Sequence, residues 1–568
     1  MKPIITIAII ELTLAGHSLA AGTNTTDPAA NSFPVSITVD AGQSLGDLKP
    51  IWRMFGADEP NYATTPDGES LLAELGAFKP HDIYFRAHNL LCSGDGTPAF
   101  KWGSTGVYSE DAQGRPVYHW KILDEIFDTY LTNGVRPYVE IGFMPEALSL
   151  HPEPYQHHWR PGDPYSDIVT GWAYPPTDYD KWRELVYRWV QHCVERYGQA
   201  EVEHWYWEVW NEANGAYWKG SRQEFFKLDD YAVDGVLRAL PAARVGGPDS
   251  AGAGGPWTRA FIEHCLNGTN YATGKIGTPL DFISFHAKGS PTFTNDHVCM
   301  GIANQLRAID SGFRIVKSFP ELKNLPIVIG ESDPDGCAAC TGDQLGYRNT
   351  TLYSSYEAAV FARIGELARR DGVNLDSALT WAFTFAGQPP FAGYRQLASA
   401  GIDLPVLNVF RIFSRMTGHQ LAVTSDGAVS LDEILRHGVR AKPDVSAIAA
   451  SDGNQLSVIV WHYHDEDVPG PAAIVDLELQ NLPPSAVTVK MTRYAIDDRH
   501  SNAFTAWQAM GSPSPLIGRQ YDEVKKAGLL ARAGDPENIP VGSGWLKFSF
   551  PVPRQAVELL VFDLGRQN

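Results

Sequence analysis

The sequence predicts a closed (β/α)8 TIM barrel followed by an all-β sandwich domain. Three observations carry that prediction. Short apolar strands alternate with longer amphipathic stretches eight times between residues 51 and 418; the helical period then fades; and from about residue 420 period-two strands take over, separated by Pro- and Gly-rich turns. Eight strand-helix units in a row close a parallel barrel.

The elements follow in order. Residues 1–20 read as a signal peptide: Met1-Lys2-Pro3 supplies a positive start, Ile4 to Leu14 a short apolar stretch, and Ser18-Leu19-Ala20 a small-residue cleavage site, so the chain is expected to be exported to the periplasm or outside the cell. Residues 21–50 form a polar lead and a strand, Phe33 to Val39, that is expected to join the β domain. Within the barrel, 51–418, strands are predicted at Trp52 to Gly56, Asp82 to His88, Arg136 to Gly142, Trp205 to Trp210, Arg244 to Gly247, Phe282 to His286, Pro326 to Gly330 and Ala378 to Phe385. Residues 419–568 are the predicted sandwich, whose expected role is to brace the barrel.

Composition narrows the function. The chain has 568 residues, 44% of them hydrophobic, which allows a large core and more than one domain. Its net charge of −20, with no basic run, argues against nucleic acid and anionic membrane as partners. No run of 18 apolar residues predicts a membrane span. Six widely scattered cysteines do not make a disulfide framework, although Cys337-Ala338-Ala339-Cys340 is spaced for a local disulfide that would stiffen a loop. No second such pair suggests a metal site, and a thiol-disulfide enzyme lacks its usual surroundings.

Two carboxylates stand out. Trp205-Tyr206-Trp207-Glu208-Val209-Trp210 is β-prone and stops at Asn211-Glu212, and Pro326-Ile327-Val328-Ile329-Gly330 stops at Glu331. Counting strands places Glu212 after the fourth and Glu331 after the seventh, both at the barrel's carboxyl-terminal face, where active sites of this fold lie. Other strand ends bring Asp58, Glu59, Arg86, His88, Glu140, Phe143, Asp249, His286, Trp381 and Phe383 toward the same face; Arg86 is expected to pair with Glu140. Paired carboxyls can supply the acid and the nucleophile of glycosidic cleavage, which needs no cofactor and no metal. On this reading Asn211 would bond the sugar's 2-hydroxyl.

Trp210-Asn211-Glu212 and Ile329-Gly330-Glu331, together with Arg86-Ala87-His88-Asn89-Leu90-Leu91, Ser284-Phe285-His286-Ala287-Lys288-Gly289 and the stretch from Gly401 to Met416, resemble glycoside hydrolase family 39. The resemblance runs over roughly residues 33 to 568. It implies a retaining exo-glycosidase acting on oligosaccharides, β-D-xylose being the first expectation, with Glu212 as acid/base, Glu331 as nucleophile, and His88, Asn211, His286, Trp381 and Phe383 around the sugar. Ala213 stands where many relatives have Pro, and Gln388-Pro389-Pro390-Phe391 fills a loop that often carries an acidic sugar contact. Another sugar therefore stays open: an α-L-arabinoside, a β-glucoside, or an iduronide clamped by Lys288 or Arg395, with a solvated Lys288 the commoner expectation. A non-catalytic sugar-binding barrel is the alternative outside enzymes.

Overall fold

The structure is a computed structural model that describes residues 32–565, so the signal-peptide reading lies outside the described residues. Eight parallel strands close a barrel in sequential order: Met54–Ala57, Ile83–Ala87, Val135–Ile141, Tyr206–Val209, Arg244–Ser250, Phe282–Lys288, Ile327–Asp333 and Leu375–Thr380. The eighth is shorter than the apolar pattern suggested. It ends at Thr380, so Trp381 and Phe383 lie beyond it rather than on it.

Alternation along these strands builds the barrel interior in layers. Met54, Tyr84, Tyr138, Tyr206, Phe282, Val328 and Leu379 pack with Trp381 into one inward apolar cluster. Two residues further along several of the same strands, the inward positions become Arg86, Glu140, Glu208 and Ser284, all fully buried. An apolar plug thus closes the barrel from below, and the polar layer sits on it, toward the carboxyl-terminal face.

Two inward glycines make room for that layer. A Cβ on Gly56 would lie 2.4 Å from the Trp381 ring, and one on Gly330 would collide with the Asp249 carboxylate. Neither position accepts a larger residue without moving the site.

Helices surround the barrel and bury their apolar faces on it. Thr351–Asp371 is the longest, started by the Thr350 side chain accepting from the Leu352 amide and ended by left-handed Gly372. Arg222–Ala239 begins with a reciprocal Ser221–Glu224 capping box.

The β domain is one ten-stranded sheet, nine strands on a single hydrogen-bonded path and Glu537–Pro540 paired off it, that curls around its own apolar core, which includes Val35, Val458, Val475, Met491, Phe550 and Leu560. The expected N-terminal strand is present and longer, Ser32–Asp47. It lies between His419–Ser425, antiparallel, and Ala472–Gln480, parallel. Two helices inside this domain, Ala503–Ala509 and Gly518–Gly528, were not legible from period-two patterning. They reach back to the barrel: Phe504 and Trp507 pack on Phe391, and the Tyr521 hydroxyl donates to the Ala400 carbonyl.

Candidate active site

The site grows out of the polar layer. Arg86 is its centre and is fully buried; its Nε donates to Glu208 at 2.9 Å, its Nη2 stands 2.9 Å from Glu140 as an ion pair, and it also pairs with Asp249. The expected Arg86–Glu140 pair is therefore one arm of a larger cluster. Its Nη2 further donates to Asn211 Oδ1 at 3.2 Å, which turns the amide nitrogen of Asn211 away from the cation. Burial pushes Glu208 up to about 8, aided by Asp249 and opposed by Arg86. It also pushes Glu140 up to about 7 against the pull of His88 and Arg86.

Glu212 and Glu331 meet above this layer. One carboxylate oxygen from each, with a ring nitrogen of His286, lie within 4.8 Å of one another. His286 is fully buried; its Nδ1 stands 2.8 Å from Glu212 and its Nε2 2.6 Å from Asp249. The Glu212 side chain is 23% exposed and that of Glu331 only 7%, so one faces the opening and the other the floor. Trp210, Glu212 and Asp249 all have positive φ, at 71°, 43° and 48°, backbone strain of the kind that concentrates at functional sites.

Glu331 is surrounded by positive charge. Lys288 donates to Glu331 and to Asp333, while His88 Nε2 and Arg86 Nη1 stand 3.5 and 3.7 Å from Glu331. Burial works against its ionisation, but His286, Lys288 and His88 outweigh burial and hold it well below the usual carboxylate range. Lys288 is thus not a solvated lysine: two residues after His286 on the same strand, it is paired with Glu331 and Asp333. Arg395 is likewise internal, fully buried with its Nη1 2.6 Å from Asp333.

The two histidines keep their protons. Burial lowers His88, but Glu140, Asp58 and Glu331 raise it to about 9; burial lowers His286, but Asp249, Glu331 and Glu212 raise it to about 10. Asp58 accepts from His88 at 3.0 Å and from Lys101 at 2.7 Å, a buried pair at the edge of the site.

Trp381 lies with its ring 4.4 Å from His88 and 5.3 Å from the Arg86 guanidinium, beside Glu331's partners. Phe383 does not join this group. Its ring packs 4.7 Å from Phe85, which in turn contacts Tyr130 of the helix Lys121–Thr132. Once the strand has ended at Thr380, its alternation no longer decides which way Phe383 points. His88, Asn211, His286 and Trp381 are brought together with the two glutamates, and Phe383 belongs to the packing between barrel and helices.

Lys101 and Tyr217 escaped the sequence reading. Lys101 comes from the loop after the second strand, where no periodicity marks it; Tyr217 stands five residues after Glu212, and its ring lies 6.0 Å from that of His88. The loop beyond the seventh strand carries the expected disulfide, Cys337–Cys340. Arg348 donates to the carbonyls of Cys337, Ala338, Cys340 and Gly393 and so ties this loop to the one after the eighth strand.

With this geometry in place, comparisons with known proteins are informative. A family model described as glycosyl hydrolases family 39 matches residues 35–532. A β-xylosidase of Geobacillus stearothermophilus is 27% identical over 76% of this chain and 77% of its own. An α-L-iduronidase of Mus musculus is 26% identical over 87% of this chain and 75% of its own. The crystal structure of a monomeric β-xylosidase from Caulobacter crescentus superposes with a TM-score of 0.72 at 21% identity, over 93% of this chain and 99% of that one, which is a likeness of fold.

Proposed function

The chain belongs to glycosyl hydrolases family 39 and is a glycoside hydrolase, and on that premise we propose that it is a retaining exo-glycosidase releasing terminal sugars, first β-D-xylose, from short oligosaccharides. The observation that carries the reading is the approach of Glu212 and Glu331 to within 4.8 Å, close to the roughly 5–5.5 Å of retaining enzymes and short of the roughly 6.5–9.5 Å that inverting ones need for a water.

The roles follow from the surroundings. Glu331, held ionised, attacks the anomeric carbon and forms the glycosyl-enzyme. Glu212, at the open side, gives a proton to the leaving oxygen and then takes one from the water that frees the sugar. The 2.8 Å contact with His286 fixes the Glu212 carboxyl in place. Asn211, fixed by Arg86, offers its amide nitrogen to the 2-hydroxyl. Trp381 forms the apolar floor of the sugar pocket.

Engagement of Lys288 and Arg395 by internal carboxylates supports a neutral sugar over a uronide, since neither cation is free to clamp a substrate carboxylate. The similarity to α-L-iduronidases keeps the iduronide as the second reading. Export is part of the proposal: a disulfide among the described residues suits an oxidising compartment.

A panel of aryl glycosides tests this reading: β-xyloside, α-L-arabinoside, β-glucoside, β-galactoside and α-L-iduronide, with Glu331→Ala as the blank. Preferred turnover of the β-xyloside is expected, and azide should partly rescue Glu212→Ala. Iduronide preference would overturn the choice of sugar; undiminished turnover by Glu331→Ala would overturn the mechanism.

A further inference from the structure

The loop after the third barrel strand carries an aromatic ring that the reaction as described does not use. Tyr165 opens a short 3-10 helix, Tyr165–Ile168, and stays 36% exposed. Its hydroxyl is 2.6 Å from that of Tyr217, which is buried and sits on the turn that carries Glu212. That turn is itself fixed, the Trp210 indole donating to the Tyr217 carbonyl at 3.0 Å. Behind the Tyr165 ring, Lys101 Nζ lies 5.3 Å from the ring centre while paired with Asp58. The ring is therefore held at its hydroxyl and backed by a buried cation, while about a third of the residue stays exposed.

An aromatic ring fixed in this way and left exposed suits the apolar C–H face of a pyranose. Tyr165 also leads somewhere. Its ring meets Trp159 edge-on at 6.5 Å, and Trp159 lines a cavity of about 470 Å³ together with Phe100, His157, Arg160 and Gln388. That volume lies within the range of small-ligand sites, roughly 300–1,000 Å³, and exceeds what one sugar ring requires. His157 closes its inner wall, its Nε2 bonded to the Lys101 carbonyl at 3.1 Å.

We propose that Tyr165 and the cavity beside Trp159 form a second sugar subsite, which takes the ring on the leaving-group side of the bond that is cut. The side follows from the anchorage: Tyr165 is fastened to the turn of Glu212, the group that faces the leaving oxygen. The inference rests on Glu212 being the acid. It makes the substrate a disaccharide or longer chain, recognised across the bond rather than only at its terminal sugar.

The test compares two substrates of the sugar the protein cleaves best: the glycosyl fluoride, whose departing fluoride needs no sugar subsite, and the β-1,4-linked disaccharide. Tyr165→Ala is expected to lower kcat/KM for the disaccharide about ten-fold more than for the fluoride, mainly through KM. Tyr165→Phe keeps the ring, loses the hydroxyl anchor and should fall between. Equal losses on both substrates, or no loss on the disaccharide, would overturn the subsite alone. A wild-type protein that turns over no glycosyl fluoride would overturn the reaction and the subsite with it.

Discussion

His286 donates through Nε2 to the Asp249 carboxylate at 2.6 Å, and this bond decides what its other nitrogen can offer Glu212. Asp249 lies below the usual carboxylate range because Arg86 and His286 outweigh its burial, so it acts as an acceptor. The Nδ1 of His286 then faces Glu212 at 2.8 Å, with Glu331 3.7 Å away. The surroundings of the Glu212 carboxyl are thus set by a residue on the fifth strand and one on the sixth.

Asp249→Asn should therefore impair catalysis while leaving the glutamates in place. The expected loss in kcat is about 10²-fold, the lower end of what a positioned acid/base supplies. Because Asp249 is the largest charge raising His286, the alkaline limb of the pH profile should move to lower pH. An unmoved limb in a pH series on the aryl glycoside would show that Asp249 does not set the protonation of His286.

Lys288→Met separates an engaged lysine from a solvated one. Glu331 loses a cation that holds it ionised, so the acidic limb of kcat/KM should move up in pH and kcat should fall by about ten-fold or more. A solvated lysine would change neither, and steady-state rates across the acidic range decide.

Arg86→Met tests the buried cluster. It leaves Glu140, Glu208 and Asp249 without their shared cation, and stranding buried charge typically costs about 3–5 kcal/mol. The urea midpoint should drop accordingly. A change no larger than a surface substitution, about 0.5 kcal/mol, would show that the carboxylates take up protons instead at little cost.

Stability should fall as the solution turns alkaline. His88, at about 9, and His286, at about 10, are raised above their unfolded value, so their contribution is full below about 6.5 and lost as pH rises through the folded values. Glu140 and Glu208, raised to about 7 and about 8, have the same sign and lose theirs from about 4.5 upward. Glu331 and Asp249, both depressed, act oppositely and lose their contribution only as pH falls through their low folded values. Urea midpoints should decline steadily from about pH 5.5 to about pH 9.5. A midpoint rising over that range would contradict the assigned protonation.

Much of this was legible in the chain because the barrel repeats one simple unit. The apolar runs before Glu212 and Glu331 announce strands, and eight such units tell which face the carboxylates share. The polar ends of the second and sixth strands, with the family resemblance, pointed to His88 and His286. Lys288 lies two residues after His286 on the same strand, but a Lys reads as solvent-facing unless its partners are known. Phe383 was read on the eighth strand, which stops at Thr380. The helix Gly518–Gly528 buries only Val524 and Gly528, so it has almost no apolar stripe to read. Tyr165 and Lys101 come from long loops, where only the folded chain brings distant residues together.

The strand Ser32–Asp47 gives the chain an unusual order of assembly. It is the first described segment to leave the ribosome, yet both of its mates, His419–Ser425 and Ala472–Gln480, are made about 400 residues later. At about 5–20 residues per second it waits for roughly 20–80 s while the whole barrel is synthesised. Throughout that interval Val35, Ile37 and Val39, all buried at the end, have nothing to cover them. A version cut off after the barrel would keep this orphan permanently, and an unclaimed edge of that kind seeks other chains. Segments from either side of the barrel thus meet as a clasp, closed only after the whole barrel has been made.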